Sequence, residues 1–388
     1  MKIGFFLENN KAGGMDTFVK NLLNNWPSKN DELVLFSNHN HPGLKYLKRY
    51  FRDIKNVKIK TYKFLDINST KKNNSIIYKI IKYLNNILIF NKKINYFTII
   101  FKRIKIDRMF IIQGGYPGGQ SGTASIFAWS KLSKKKPWFN FHNFAIKRKK
   151  IDLFRKYIDY RIKNKISGFV SVSKSCTKSI DIRKDFKNLP KKTIYNGLEI
   201  SPTLNKKNNK KIINLLMLGV YEERKGHDFL FKSLLLLNKN YTNFECNIYG
   251  DGTIKEINDV LNKIPPVLKN KIKLNKHTSN IDLIISKSDI LLVPSQELES
   301  FGYSALEAMS FKKPIVSTNC GGLPEVINNN ETGYIVDKND KKKFAQKILF
   351  LIKNIKKRNK MGIMGHKRYK EFFLSSVMAQ KYSNLIKK

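Results

Sequence analysis

The sequence predicts an α/β chain made of two successive units, each a parallel sheet flanked by helices. Three observations predict it. Short apolar runs recur along the chain, separated by stretches with helical spacing, the pattern of strand–helix–strand crossovers. At mid-chain the pattern is broken by residues 199–211, EISPTLNKKNNKK, which are polar, contain Pro202 and have no apolar period, as an interdomain linker does. The length, 388 residues with 41% hydrophobic side chains, suffices for two full cores.

The elements follow in order. Ile3–Leu7 reads as a first strand and ends in the polar loop Glu8–Gly14, after which Phe18–Trp26 shows helical spacing. Strands are predicted at Glu32–Ser37, Val57–Tyr62, Arg108–Ile112, Trp138–Phe141 and Phe169–Val172. In Ile76–Phe101 apolar residues are interleaved with Lys and Asn over a long span. That segment is one or two basic amphipathic helices, which either lie on a membrane interface or pack their apolar side on the sheet. Beyond the linker, strands are predicted at Ile213–Leu218, Glu245–Tyr249, Ile272–Leu274, Ile290–Val293, Ile315–Ser317 and Tyr334–Val336, and from Lys341 the pattern is helical to the end. The expected domains are residues 1–198 and 212–365, with 366–388 as a final helical segment.

No run of 18 apolar residues exists, so no transmembrane helix is expected. The start, MKIGFFLENN, turns polar too soon for a signal peptide, and the three scattered cysteines, Cys176, Cys246 and Cys320, fit a reducing compartment. A cytoplasmic location is expected. The net charge is +46, carried by 64 Lys and 11 Arg, and part of it reads as the lysine bias of an A/T-rich genome. Its distribution is uneven: residues 1–198 carry +31 and residues 199–388 carry +15. Such surfaces attract nucleic acid or anionic lipid. No helix-turn-helix, zinc or RNP motif accompanies the charge, and it is not gathered in one arm, which leaves nucleic-acid binding as a remote alternative.

The segment 295–327, SQELESFGYSALEAMSFKKPIVSTNCGGLPEVI, carries most of the chemistry. It reads as a loop after a buried strand, a helix opening at Ser304, a second strand over Pro314–Ser317 and a glycine turn at Gly321-Gly322. Helix N-termini hold anions. Glu299 lies just before this one and Glu307 one turn inside it, so both acceptor-only carboxylates can serve hydroxyls of a ligand whose phosphate rests on the helix end. An ordinary βαβ unit with two wet acids is the structural alternative for Glu-x7-Glu taken alone.

The whole string resembles the signature of family 4 glycosyltransferases: Glu299 and Glu307 with Phe301-Gly302 after the first and Ala308-Met309 after the second, then Gly321-Gly322 and Glu325. The resemblance implies the GT-B fold, two facing Rossmann-like domains with the last helix crossing back to the first. It also implies sugar transfer from a nucleoside diphosphate sugar with retention of configuration, and no metal or other cofactor. By the same resemblance Glu307 would hydrogen-bond the ribose, Glu299 the donor sugar, and the amides of Phe301, Gly302, Tyr303 and Ser304 the sugar oxygens and phosphate. The implied partners are a nucleotide-sugar donor, a glycan or lipid-linked acceptor and, given the basic first half, an anionic membrane surface at the inner face of a bacterial inner membrane, but no nucleic acid. A soluble acceptor, a phosphosugar or storage polymer, is the alternative.

Other motifs are read against the same frame. In LLMLGVYEERKGHDF (215–229), Arg224 and Lys225 follow a strand end, where open α/β sheets bind ligands. Lys225 matches the family's donor-phosphate lysine, whereas Val220 stands where the family has an arginine, so Arg224 either replaces it or is a solvated residue beside Glu222 and Glu223. Gly13-Gly14 after the first strand offers a close backbone approach to phosphate or acceptor, or simply packs a βα turn. Gly114–Gly119 is a second glycine-rich loop, and Tyr249–Gly252 resembles the family's Gly-Asp-Gly turn, in which Gly250 would open the floor of a base pocket or simply form a tight βα turn. His142, ending the strand WFNFH, matches a family histidine near the reacting carbon; as a lone histidine it reads as structural. The remaining histidines, His41 among them, show no metal spacing and are assigned no role.

Overall fold

A computed structural model describes residues 1–11, 13–64, 76–149, 152–199, 212–278 and 280–388, with the side chains of 76–80 and 82 excepted. The expected linker therefore lies, from residue 200 on, outside the described residues. The chain divides into two compact units, Met1–Gly197 with Ser375–Lys388, and Leu198–Leu374.

The first unit runs β1 (Lys2–Glu8), α1 (Gly14–Asn24), β2 (Glu32–Asn38), α2 (Leu44–Tyr50), β3 (Val57–Tyr62), α3 (Ile76–Ile104), β4 (Arg108–Gln113), α4 (Gln120–Leu132), β5 (Trp138–Phe141), α5 (Leu153–Ile162), β6 (Gly168–Ser171), α6 (Lys174–Lys178) and β7 (Lys191–Thr193). Its strands form one parallel sheet in the order β3-β2-β1-β4-β5-β6-β7. The expected strands are present within a residue or so: the central ones are apolar on both faces, as strands covered by helices on both sides must be, whereas β3 (VKIKTY) at the edge exposes Lys58, Lys60 and Thr61. β7 has no expected counterpart: KKT is short and polar, and it is a strand only because it pairs at the edge with Phe169–Ser171.

The second unit runs β8 (Ile213–Leu218), α7 (His227–Asn238), β9 (Phe244–Gly250), α8 (Ile254–Leu261), β10 (Ile272–Lys276), α9 (Ile281–Lys287), β11 (Ile290–Val293), α10 (Tyr303–Ser310), β12 (Ile315–Thr318), α11 (Leu323–Val326), β13 (Gly333–Val336), α12 (Lys341–Lys353) and α13 (Ile355–Phe372). The sheet order is β10-β9-β8-β11-β12-β13, all parallel. In both sheets the chain first adds strands on one side of its opening strand and then on the other. This creates a switch point, between β1 and β4 in the first unit and between β8 and β11 in the second. There the βα loops of two adjacent strands diverge and leave a crevice.

The last helix, α14 (Ser375–Lys387), belongs to the first unit. Tyr382 sets its ring against Phe18 and Phe110, with centroids 5.4 Å away in each case, and its hydroxyl accepts from Asn140 Nδ2 at 3.1 Å. Lys387 pairs with Asp31 at 2.6 Å. The part of the chain that joins the first unit begins at Ser375 rather than at residue 366, because α13 runs unbroken to Phe372 and packs on α10.

Residues 76–104 form one helix of 29 residues without an acid. Phe90 anchors it, edge-on to Phe127 of α4 and Phe154 of α5. Its sheet side carries Phe97 and Phe101, set edge-on against the aromatic cluster around Phe6 and Tyr62. The opposite side shows Ile81, Leu84 and Leu88, each more than half exposed.

Candidate functional site

In the second unit the switch-point loops are those after β8 and β11. After β8 the chain makes one tight helical turn, Glu223–Lys225, then enters α7 through Gly226 at φ 79°. Only glycine suits that left-handed backbone, and a Cβ there would also strike the carbonyl of Pro294 in the β11 loop. The two loops are thus in van der Waals contact, and the backbone N–H of Gln296 donates to the carbonyl of Arg224 at 2.8 Å. That contact brings Lys225 against Glu299: Nζ to Oε2 is 2.7 Å. Ser295 donates its hydroxyl to the same Oε2 at 3.1 Å, and Thr318, at the end of β12, donates to the Ser295 carbonyl. The amide of Gly322 in the glycine turn donates to the Glu299 carbonyl at 2.8 Å. Glu299 is 8% exposed.

Arg224, 29% exposed, donates Nε–H to Glu222. Phe301 is buried and Gly302, at φ 102°, begins α10, leaving Tyr303 and Ser304 in the helix's first turn, where backbone amides have no partner within the helix. Glu307 lies one turn further on. Burial pushes its carboxyl up to about 7, and the like charge of Asp282 on α9 adds to that. The floor comes from β8 and β9: Gly219 N–H donates to the Tyr249 carbonyl at 2.9 Å, and Gly250 stacks so closely on Gly219 that a Cβ would overlap its carbonyl. The second unit therefore brings Arg224 and Lys225 to the loop of Glu299, which leads through Phe301 and Gly302 into Tyr303 and Ser304 of α10; Glu307 lies further along that helix, toward Asp282 of α9, and Gly250 ends β9.

Gly14 and His142 belong to the first unit. Gly14 opens α1, after Gly13 at φ 150°, and Asp16 closes a capping interaction by accepting from the Gly13 amide at 3.0 Å. Across the β1–β4 switch point Glu8 accepts from the Gly122 amide at 2.9 Å, and Gln113 from Gly119 at 2.8 Å, which fixes the Gly114–Gly119 loop as the cap of α4. His142 follows β5; its ring centroid is 4.3 Å from that of Phe18, and its buried Nε2 has no hydrogen-bond partner among the described residues. Burial holds its imidazole down to about 3, so it is neutral at ordinary pH.

Sequence reasoning missed Ser295, Thr318, Asp282 and His41. The first three are small or commonplace residues whose roles arise from strand pairing. His41 left one signal, its position three residues past β2 in the first unit's carboxyl-end loops. Among the described residues no group of three His, Cys, Asp or Glu is placed to hold a metal.

Comparison with known proteins sharpens this picture. Residues 199–368 match the family model described as glycosyl transferases group 1. The Anabaena protein HepE, solved in complex with UDP and glucose, superposes with a TM-score of 0.74 over 99% of each chain at 15% identity. The fold is GT-B. An uncharacterized 41.2 kDa protein in the cps region of Klebsiella pneumoniae is 32% identical over 139 residues, 35% of this chain and 36% of that protein. The capsular polysaccharide biosynthesis glycosyltransferase CapM of Staphylococcus aureus is 25% identical over 166 residues, 43% of each. The matches thus span less than half the length of these two relatives. The GT-B chain described here holds its candidate residues within the matched segment, apart from Gly14 and His142.

Proposed function

We propose that this GT-B protein is a retaining glycosyltransferase that moves a sugar from a nucleoside diphosphate sugar to a growing cell-surface glycan on a lipid-linked acceptor. The observation that carries the reading is the pairing of Lys225 with Glu299 at the β8–β11 switch point, beside the N-terminus of α10. A cation, a polar carboxylate and helix-end amides within one crevice match the needs of a diphosphate joined to a sugar. Lys225 has three donors, so it can keep Glu299 and still bind phosphate. Arg224 commits Nε to Glu222, which leaves its terminal guanidinium donors for the other phosphate oxygens. These cations and the amides of Phe301–Ser304 neutralise the departing diphosphate without a metal ion. Glu299 takes hydroxyls of the donor sugar and Glu307 those of the ribose, with Gly250 under the base. In the first unit, taken by itself, Gly14 amides and a neutral, hydrogen-bonding His142 are the candidate substrate contacts. No protein nucleophile is required, since the leaving phosphate assists deprotonation of an acceptor that attacks from the same face.

The lipid-linked acceptor is supported by the first unit's surface. Exposed Ile81, Leu84 and Leu88 on α3 and Leu153, Tyr157 and Tyr160 on α5 stand among lysines, and α3 has no acid. Such a face suits the inner surface of an anionic membrane, with peripheral attachment and a cytoplasmic active site. No described helix is long and apolar enough to cross a membrane. The experiment is a thermal-shift screen with uridine, guanosine and adenosine diphosphate sugars, followed by transfer assays with lipid-linked and soluble acceptors. A raised midpoint with one donor class is expected by mass action. No shift with any of them would overturn the donor assignment, and transfer only to soluble acceptors would move the reading to a phosphosugar or storage-polymer enzyme.

A further inference from the structure

The loop after β1 is held by a buried polar quartet. Asp16 Oδ2 accepts from the Gly13 amide at 3.0 Å, and Asp16 Oδ1 meets His41 Nε2 at 2.7 Å and Asn9 Nδ2 at 3.1 Å. His41 Nδ1 lies 3.0 Å from Ser37 Oγ on β2. Asn9 and Asn38 exchange backbone and side-chain hydrogen bonds at 2.9 Å in both directions. The connectivity Ser37–His41–Asp16 is that of a nucleophile, base and orienting acid, yet Ser37 and the His41 side chain are 0% exposed, so no substrate reaches them. A buried network of this kind fixes backbone instead: satisfied on all sides, it holds one geometry. What it fixes is the Gly13-Gly14 turn, since the second carboxylate oxygen of Asp16 is bonded to the turn itself. The turn's outer side is open, and a Cβ added at Gly13 would meet nothing within 4 Å.

Gly43 completes the arrangement. Its backbone is ordinary, at φ −79°, so no conformational need explains it. A Cβ at Gly43 would lie 2.6 Å from Asp16 Cγ, inside the carboxylate's van der Waals envelope. The absence of a side chain there is what lets Asp16 reach Gly13 and His41 at once.

We propose that His41 is a positioning residue for the Gly13-Gly14 turn, acting through Asp16, and that Gly43 supplies the gap in which Asp16 sits. Its link to turnover rests on the reading that this turn is one of the first unit's substrate contacts. The test uses the full chain with His41→Ala, His41→Gln and Gly43→Ala, compared by amide hydrogen exchange over residues 9–16, by thermal midpoint and by steady-state transfer with the donor found in the screen. Glutamine keeps a donor near the position of Nε2, so His41→Gln should retain exchange protection. His41→Ala and Gly43→Ala should exchange at least about tenfold faster over 9–16 with the β4–β6 amides still protected, and should lower kcat more than they raise the donor KM. Unchanged exchange in both of these variants overturns the brace. Should His41→Ala fail to fold, Gly43→Ala, which removes no hydrogen-bonding group, decides the matter alone. Faster exchange with unaltered kcat leaves the brace standing and instead removes Gly14 from the first unit's candidate substrate contacts.

Discussion

Lys225 Nζ and Glu299 Oε2, 74 residues apart in sequence, lie 2.7 Å apart, and the hydroxyl of Ser295 donates to that same oxygen. Both side chains are mostly buried, at 17% and 11% exposure. Removing one partner strands the other charge, so Lys225→Met and Glu299→Gln should each cost stability on the order of 1–3 kcal/mol, below the roughly 3–5 kcal/mol of a fully buried pair because both side chains keep some contact with solvent. A double-mutant cycle by urea denaturation should give a coupling energy above about 0.5 kcal/mol. Additive losses would mean that the pair is incidental to the loop contact.

Glu307 gives the protein a signed pH dependence. An unfolded glutamate ionises near 4.5 and this one near 7, so the native state holds a proton that the unfolded state releases between those values. Stability should therefore fall as pH rises from about 4.5 through 7. The Glu307→Gln variant should lose that slope and be more stable than the wild type at pH 8. Ribose hydroxyls need the ionised carboxylate, so nucleoside diphosphate affinity should rise with pH over the same window in the wild type relative to the variant. Isothermal titration at pH 5.5, 7 and 8.5 reads this difference; parallel curves would remove Glu307 from the ribose.

His142 should contribute no ionisation to activity above pH 5, because its imidazole titrates near 3. Replacement by Asn, which keeps a neutral donor and acceptor, should retain more transfer than replacement by Phe. More transfer retained by the Phe variant than by the Asn variant would point to ring packing on Phe18 as the residue's whole contribution.

On the proposed reading, transfer should survive excess EDTA, since Arg224, Lys225 and the first-turn amides of α10 would supply the positive charge that a departing diphosphate requires. Loss in EDTA with restoration by Mg²⁺ or Mn²⁺ would replace that account.

Vesicle binding separates functional from compositional lysine. In the basic run Lys147-Arg148-Lys149-Lys150, Arg148 is not a free surface cation: its guanidinium bonds both Asp159 and Asp185 at 2.7 Å, beside Arg183 and Tyr116. Lys150 lies outside the described residues. A test should therefore combine Lys147→Gln and Lys149→Gln with Leu84→Gln and Leu88→Gln. Binding to anionic vesicles should drop and its salt dependence flatten, since exposed charge is screened within about 8–10 Å. Arg148→Gln should instead lower the thermal midpoint. Unaltered vesicle binding in the combined variant would favour a soluble acceptor.

The central strands were legible in this sequence because burial on both faces makes them continuous apolar runs, as in Ile290–Val293 and 33–36 (LVLF), which need no context to be recognised. β7 was not, since its three polar residues owe their conformation to a neighbour. At the candidate site, Glu299, Glu307 and Lys225 stood out by their spacing from glycines and strand ends. That Lys225 is Glu299's partner was hidden, because it follows from Gly226 letting one loop touch another. The Asp16–His41 contact was hidden for the same reason: a histidine's meaning here lies in what faces it across two strands, and its own neighbours in sequence carry no trace of that. Arg148 misled in the opposite direction, looking like one more surface charge in a lysine-rich run while answering two carboxylates.

The last helix changes the order in which this protein can be made. The second unit is contiguous, Leu198–Leu374, whereas the first unit's core has Tyr382 wedged against Phe18 and Phe110. A ribosome therefore delivers the whole second unit before the residues that finish the first. During synthesis the aromatic seat of Tyr382 stays open for the time needed to translate nearly half the chain, and chaperone occupancy of nascent chains should be concentrated on α1 and β4 until Ser375–Lys387 emerges.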